Sequence, residues 1–178
     1  NFKSDVKLSK NVVLTGMMGV GKSTVAKILA NKLAFNFIDI DSLIEKQEGS
    51  SINLIFKNKS ENYFRKIESE ITLSELRKEK SVISLGGGAF LSKEIRRSAK
   101  RLSISFWLDV PVEELIKRLK KSQKRPLLFK KNISETMKKI YYDRKKIYNK
   151  ADYRIKCNSL SLNEIIDKIS ELYEKSGN

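Results

Sequence analysis

An α/β fold is predicted for this sequence, with a five-stranded parallel sheet flanked by helices in three layers. Two observations predict it. Five short apolar runs alternate with longer segments of helical periodicity, and a glycine-punctuated turn joins the first run to the first such segment. The expected strands are Val12 to Leu14, Phe35 to Asp39, Ser81 to Leu85, Ile104 to Asp109 and Tyr153 to Cys157. Between them Val25, Ile28, Leu29 and Leu33 fall at helical spacing, as do Leu115, Ile116 and Leu119, and then Ile165, Ile166, Ile169 and Leu172. Pro111, followed by Glu113 and Glu114, marks a helix start, because proline fits the first turn and acidic groups suit the dipole there.

The 178 residues are read as one domain, 1–178, with no repeat, linker or composition break. Two stretches stand out as long connections. Asp41 to about Ser60 follows the second strand and opens an expected ligand-binding insertion of about 41–70. A basic stretch, Lys120 to Ile133, interrupts two helices near Pro126 and reads as a lid of about 120–133.

Composition narrows the chemistry. Histidine is absent, which removes histidine bases, Ser-His-Asp triads and His-ligated metals. Cys157 is the single cysteine, so neither an intrachain disulfide nor a multi-cysteine zinc site is available. No apolar run approaches a membrane span and "NFKSDVKLSK" lacks an apolar signal core, which predicts a cytoplasmic, reducing location without a membrane partner. The net charge of +16 points to an anionic ligand or, more plainly, to lysine-decorated helix faces.

The turn itself is specific. Gly16, Gly21, Lys22 and Ser23 complete GxxxxGK[ST] directly after an apolar strand and before a helical pattern. Glycines let successive N–H groups turn toward phosphate oxygens, the helix N-terminus adds favourable dipole, Lys22 reaches the β and γ phosphates, and Ser23 offers a hydroxyl to Mg²⁺. This predicts a bound nucleoside triphosphate and leaves its use open.

Further clusters address that use. Asp39 and Asp41 in "FIDIDSLIE" sit at a strand end; one carboxylate can orient Mg²⁺ and the other can accept a hydroxyl proton, unless Asp41 only caps the next helix. "NYFRKIESE" sets Arg65 and Glu68 at i and i+3, where Glu68 can brace the guanidinium or simply form a surface ion pair. Gly86, Gly87 and Gly88 follow the third strand and permit close backbone approach to a bound molecule.

Taken together, "GMMGVGKST", "FIDID", "FRKIE", "SLGGGA", "KRPLL" and "DRKKIYNKAD" resemble the shikimate kinase family in order and spacing, over nearly the whole chain. The resemblance implies a P-loop, nucleoside-monophosphate-kinase-like fold and ATP-dependent phosphorylation of the 3-hydroxyl of shikimate. By that resemblance Gly16, Gly19, Gly21, Lys22, Ser23 and Thr24 hold the nucleotide, with Arg118 near adenine and Arg125 on the lid. Ser23 and Asp39 serve Mg²⁺, and Asp41 holds the shikimate hydroxyls. Arg65 and Arg144 fork onto its carboxylate, and Gly86, Gly87 and Gly88 line the ring, Gly87 giving an amide to a hydroxyl. Lys22, Asp41 and Arg125 carry the catalytic roles. A monomer is expected. The competing readings are a gluconate or nucleoside monophosphate kinase, a basic nucleic-acid-binding protein and an inactive family member; nucleic acid is not expected as a partner, because no zinc pattern or RNP-type motif accompanies the charge.

Overall fold

The computed structural model describes residues 10–121 and 132–176. Five parallel strands form one sheet in the order β2-β3-β1-β4-β5: β1 Asn11–Thr15, β2 Asn36–Asp39, β3 Ser81–Ser84, β4 Ser103–Asp109 and β5 Tyr153–Lys156. The expected strands are all present, each shifted by at most a residue or so at its ends. β1 and β3 are buried at every position, which is why they read as continuous apolar runs, whereas the edge strands β2 and β5 are partly exposed.

Helices flank the sheet: α1 Lys22–Leu33, α2 Ile40–Glu48, α3 Ile52–Asn58, α4 Glu61–Leu76, α5 Lys93–Leu102, α6 Val112–Lys121, α7 Ile133–Tyr148 and α8 Leu162–Ser176, with a 3₁₀ turn at Ala89–Leu91. α1 packs on α8 and on the sheet, α4 packs on α5, and α6 packs on α7. Among the described residues no helix is long and apolar enough to cross a membrane.

The stretch from Asp41 to Ser60, expected as a long connection, is two helices. Ser51 and Ser60 stop and restart the chain: each side chain accepts from the backbone N–H three residues on, at 3.3 Å from Leu54 and 3.0 Å from Tyr63. Gly49 ends α2 in the left-handed conformation, at φ 66°. The helical period is hard to see in sequence because α3 is only seven residues long.

Register places the strand ends that matter. Ser84, the last residue of β3, is opposite Leu14 of β1 on one side and Asp39 of β2 on the other. The connections leaving β1, β2 and β3 therefore emerge side by side at the carboxyl edge of the sheet, where open α/β sheets bind ligands. Asn11 ties the opposite ends together, donating to Leu76 O and Lys78 O at 2.9 and 2.7 Å and accepting from Ser81 N at 3.0 Å.

Candidate active site

The loop after β1 runs through Gly16, Gly19 and Gly21 at φ 143°, 83° and 93°, values that L side chains rarely adopt. At Gly16 a Cβ would also meet the Leu108 carbonyl oxygen at 2.7 Å, so the position excludes any side chain. α1 then begins without a side-chain cap on Gly21, unlike α3 and α4. Its first N–H groups are left for a ligand, and the helix dipole favours an anion there.

Lys22 is the first residue of α1 and is 8% exposed. Its ammonium donates to Gly16 O at 2.6 Å and Met17 O at 2.9 Å, spanning the loop it closes. Ser23 donates its hydroxyl to Asp39 Oδ2 at 2.8 Å and lies 3.5 Å from the Ser84 hydroxyl. This places two oxygen donors from β2 and α1 together beside the loop, a set that suits a hard divalent cation such as Mg²⁺.

Asp39, not Asp41, is the N-cap of α2; its Oδ1 takes a long 3.5 Å bond from Ser42 N. The strand ends at Asp39, two residues earlier than a shared face for both acids requires. Asp41 instead stands in the first turn of α2, with Oδ1 2.7 Å from where a Cβ on Gly86 would be.

Two adjoining cavities meet at this point. One, of about 230 Å³, is lined by Gly19, Gly21, Lys22, Ser23 and Thr24 of the phosphate loop. The other, of about 510 Å³, is lined by Arg65, Glu68, Gly88 and Arg144. Both include Ser23, Asp39, Asp41, Gly86 and Gly87 in their walls. Of comparable size, a groove of about 540 Å³ between α2 and α4 contains none of these residues.

The second cavity is cationic at one end. Arg65 Nη1 donates to Glu68 Oε1 at 2.8 Å, confirming the i, i+3 brace, while Glu61 approaches Nε at 3.8 Å. Glu68 is 2% exposed and its Oε2 has no hydrogen-bond donor among the described residues. Burial pushes the Glu68 carboxyl above its ordinary range, against the pull of the Arg65 guanidinium.

Arg144 comes from α7, far along the chain, and donates Nη1 to Gly87 O at 3.1 Å. α7 is anchored to the sheet by Tyr141, whose hydroxyl donates to Asp109 Oδ1 at 2.9 Å at the end of β4. Arg154 of β5 closes the same anchor, donating Nε and Nη2 to Asp109 Oδ2 at 2.9 and 2.6 Å. Arg118 of α6 donates to Gly19 O and Val20 O at 3.2 and 3.3 Å and pairs with Glu114 at 2.8 Å, so it lies against the phosphate loop. Arg125 and most of the expected lid lie outside the described residues.

Several wall residues were not singled out in the sequence. Ser84 is visible only through strand register, and Asn53 and Phe56 of α3 only once that helix is recognised. Tyr148 lies four residues after Arg144 on one helix face, yet its bond to the triple glycine has no local signal.

A phosphate loop and a cationic acceptor cavity that share a carboxylate, set on this strand order, define a P-loop phosphotransferase. The profile described as "Shikimate kinase" matches residues 18–174. A shikimate kinase of Persephonella marina is 44% identical over 160 residues, covering 90% of this chain and 96% of the relative. The solved structure of a shikimate kinase from Acinetobacter baumannii in complex with shikimate is 30% identical and covers 96% of each chain, with a TM-score of 0.87. The chain belongs to the shikimate kinase family. A gluconokinase from Sinorhizobium meliloti, at 15% identity and a TM-score of 0.58 over 94% of this chain and 95% of its own, shares the fold.

Proposed function

We propose that the chain transfers the γ-phosphoryl group of ATP to the 3-hydroxyl of shikimate, giving shikimate 3-phosphate and ADP. The observation that carries this reading is the common wall of the two cavities, where Asp41 faces both donor and acceptor spaces. The hydroxyl oxygen forms the new bond to phosphorus, the bond from phosphorus to the β–γ bridging oxygen breaks, and the hydroxyl proton passes to the Asp41 carboxylate.

Phosphoryl transfer asks the protein chiefly for position and charge. Thr24 and the uncapped N–H groups of α1 bind phosphate oxygens, with Gly16, Gly19 and Gly21 allowing their approach. Lys22 moves its ammonium from the loop carbonyls to the β and γ phosphates. Ser23 and Asp39 would hold Mg²⁺, which when bound would neutralise phosphate charge. Arg65 and Arg144 take the shikimate carboxylate, a bidentate target for guanidinium groups. Gly86, Gly87 and Gly88 let the ring approach the backbone, Gly87 giving its amide to a hydroxyl. Arg118, already against the phosphate loop, borders the adenine, and Arg125 enters from the lid to reach the transferred group.

All of these groups belong to a single domain spanning 1–178, so a monomer suffices. The lone, buried cysteine agrees with a reducing cytoplasm, and no nucleic-acid or membrane partner is needed. ADP release measured with ATP and Mg²⁺, with and without shikimate, tests the reading: a rate that shikimate does not raise removes it. Gluconate and nucleoside monophosphates in the same assay are expected to give no turnover above the shikimate-free rate.

A further inference from the structure

We infer that Tyr148 is a positioning residue for the acceptor carboxylate, because its hydroxyl fixes the Gly87 carbonyl from which Arg144 takes its orientation. The inference rests on the proposed assignment of Arg144 to the shikimate carboxylate. Tyr148 is fully buried at the end of α7 and donates its hydroxyl to Gly87 O at 2.5 Å. Arg144, one turn earlier, donates Nη1 to the same oxygen at 3.1 Å. Residues four apart share one helix face, and a carbonyl oxygen has two lone pairs, so both donors are accommodated.

That carbonyl matters for two reasons. Gly87 O accepts directly from the Arg144 guanidinium, whereas the Glu68 carboxyl acts on it only through charge at longer range. Gly87 also lies inside three consecutive glycines, where no side chain restrains the rotation of the peptide.

Tyr148 supplies the missing restraint from a rigid position. Its ring packs 5.9 Å from that of Trp107, and its hydroxyl lies 3.8 Å from Met17 Sδ beneath the phosphate loop. Burial also pushes the phenol above its ordinary range, which keeps it a donor through neutral pH. The chain of contact runs from a packed ring to a hydroxyl, to a carbonyl, to the guanidinium that meets substrate.

Tyr148→Phe keeps the ring and removes the donor. Its KM for shikimate is expected to rise at least about fivefold, the size of one net hydrogen bond, while the KM for ATP stays within about twofold. Adding Arg144→Lys to this variant is expected to cause less than the product of the two separate changes, because both act on one contact. An unchanged shikimate KM, an equal rise in both KM values, or fully multiplicative effects would overturn the inference, since a tyrosine that only packs gives one of those results. A second readout needs neither variant nor substrate: the Tyr148 hydroxyl proton of the wild-type protein is expected as a slowly exchanging NMR resonance, and fast exchange would overturn the inference too. If the wild-type protein does not phosphorylate shikimate, the functional reading fails and this inference fails with it. If it does, the ratio of variant to wild type decides the role of Tyr148 alone.

Discussion

A Cβ placed on Gly88 would lie 2.7 Å from Nη1 of Arg65 and 2.8 Å from its Cζ, nearer than side-chain carbons are found. The backbone of Gly88, at φ −105°, accepts any residue, so alanine acts only through this contact. The atoms it meets are the tip of a flexible side chain, which swings away more cheaply than the backbone moves. Gly88→Ala is therefore expected to melt close to the wild type and to bind shikimate at least about tenfold more weakly, as for a lost charged hydrogen bond. ATP binding stays the same. Calorimetric titration with each ligand separately checks this, and equal losses for both would place Arg65 outside the acceptor site.

Lys22→Met is expected to lower kcat by at least about a thousandfold, because the ammonium meets charge on the transferring group. Lys22 is buried and bonded to two loop carbonyls, so the same change also loosens the empty loop. A lower melting temperature accompanies the loss of activity. Activity within tenfold of the wild type would exclude Lys22 from the transfer step.

Asp41→Asn preserves shape and removes the proton acceptor. If the carboxylate takes the hydroxyl proton, kcat falls at least ~10²-fold with little change in the affinity for ATP. A change confined to the KM for shikimate would make Asp41 a binding group.

Glu68→Gln tests the buried carboxyl beneath the glycines. Folding raises the Glu68 pKa above its unfolded value of 4.5, chiefly by burial. Below pH 4.5 the group is protonated in both states; as pH rises through the folded value, the folded state must ionise a buried acid and stability is lost. The glutamine variant lacks this loss and can still accept from Arg65. Urea unfolding between about pH 4 and pH 8 is expected to show the wild type declining relative to the variant. A difference that does not vary with pH would mean that Glu68 ionises as freely as in the unfolded chain.

The sequence by itself determined the parts whose chemistry is contiguous. The phosphate loop was legible because its function depends on the backbone of consecutive residues, from Gly16 to Ser23, and on the strand and helix directly flanking it. β1, β3 and β4 were legible because strands buried on both faces must be apolar, and Arg65 with Glu68 because one helix turn brings them together. Tertiary structure alone decided the rest. β3 lies between β1 and β2, which sets Ser84 beside both Leu14 and Asp39 and brings three loops to one edge. It also made Asp39 the helix cap and left Asp41 facing Gly86, a matter of two residues in where β2 ends. Above all it joined Gly87 to Arg144 and Tyr148, 57 and 61 residues away. No local periodicity encodes that meeting: it follows from α7 being held at the carboxyl edge by packing and by the Asp109 anchor, interactions between residues that only the folded chain makes neighbours.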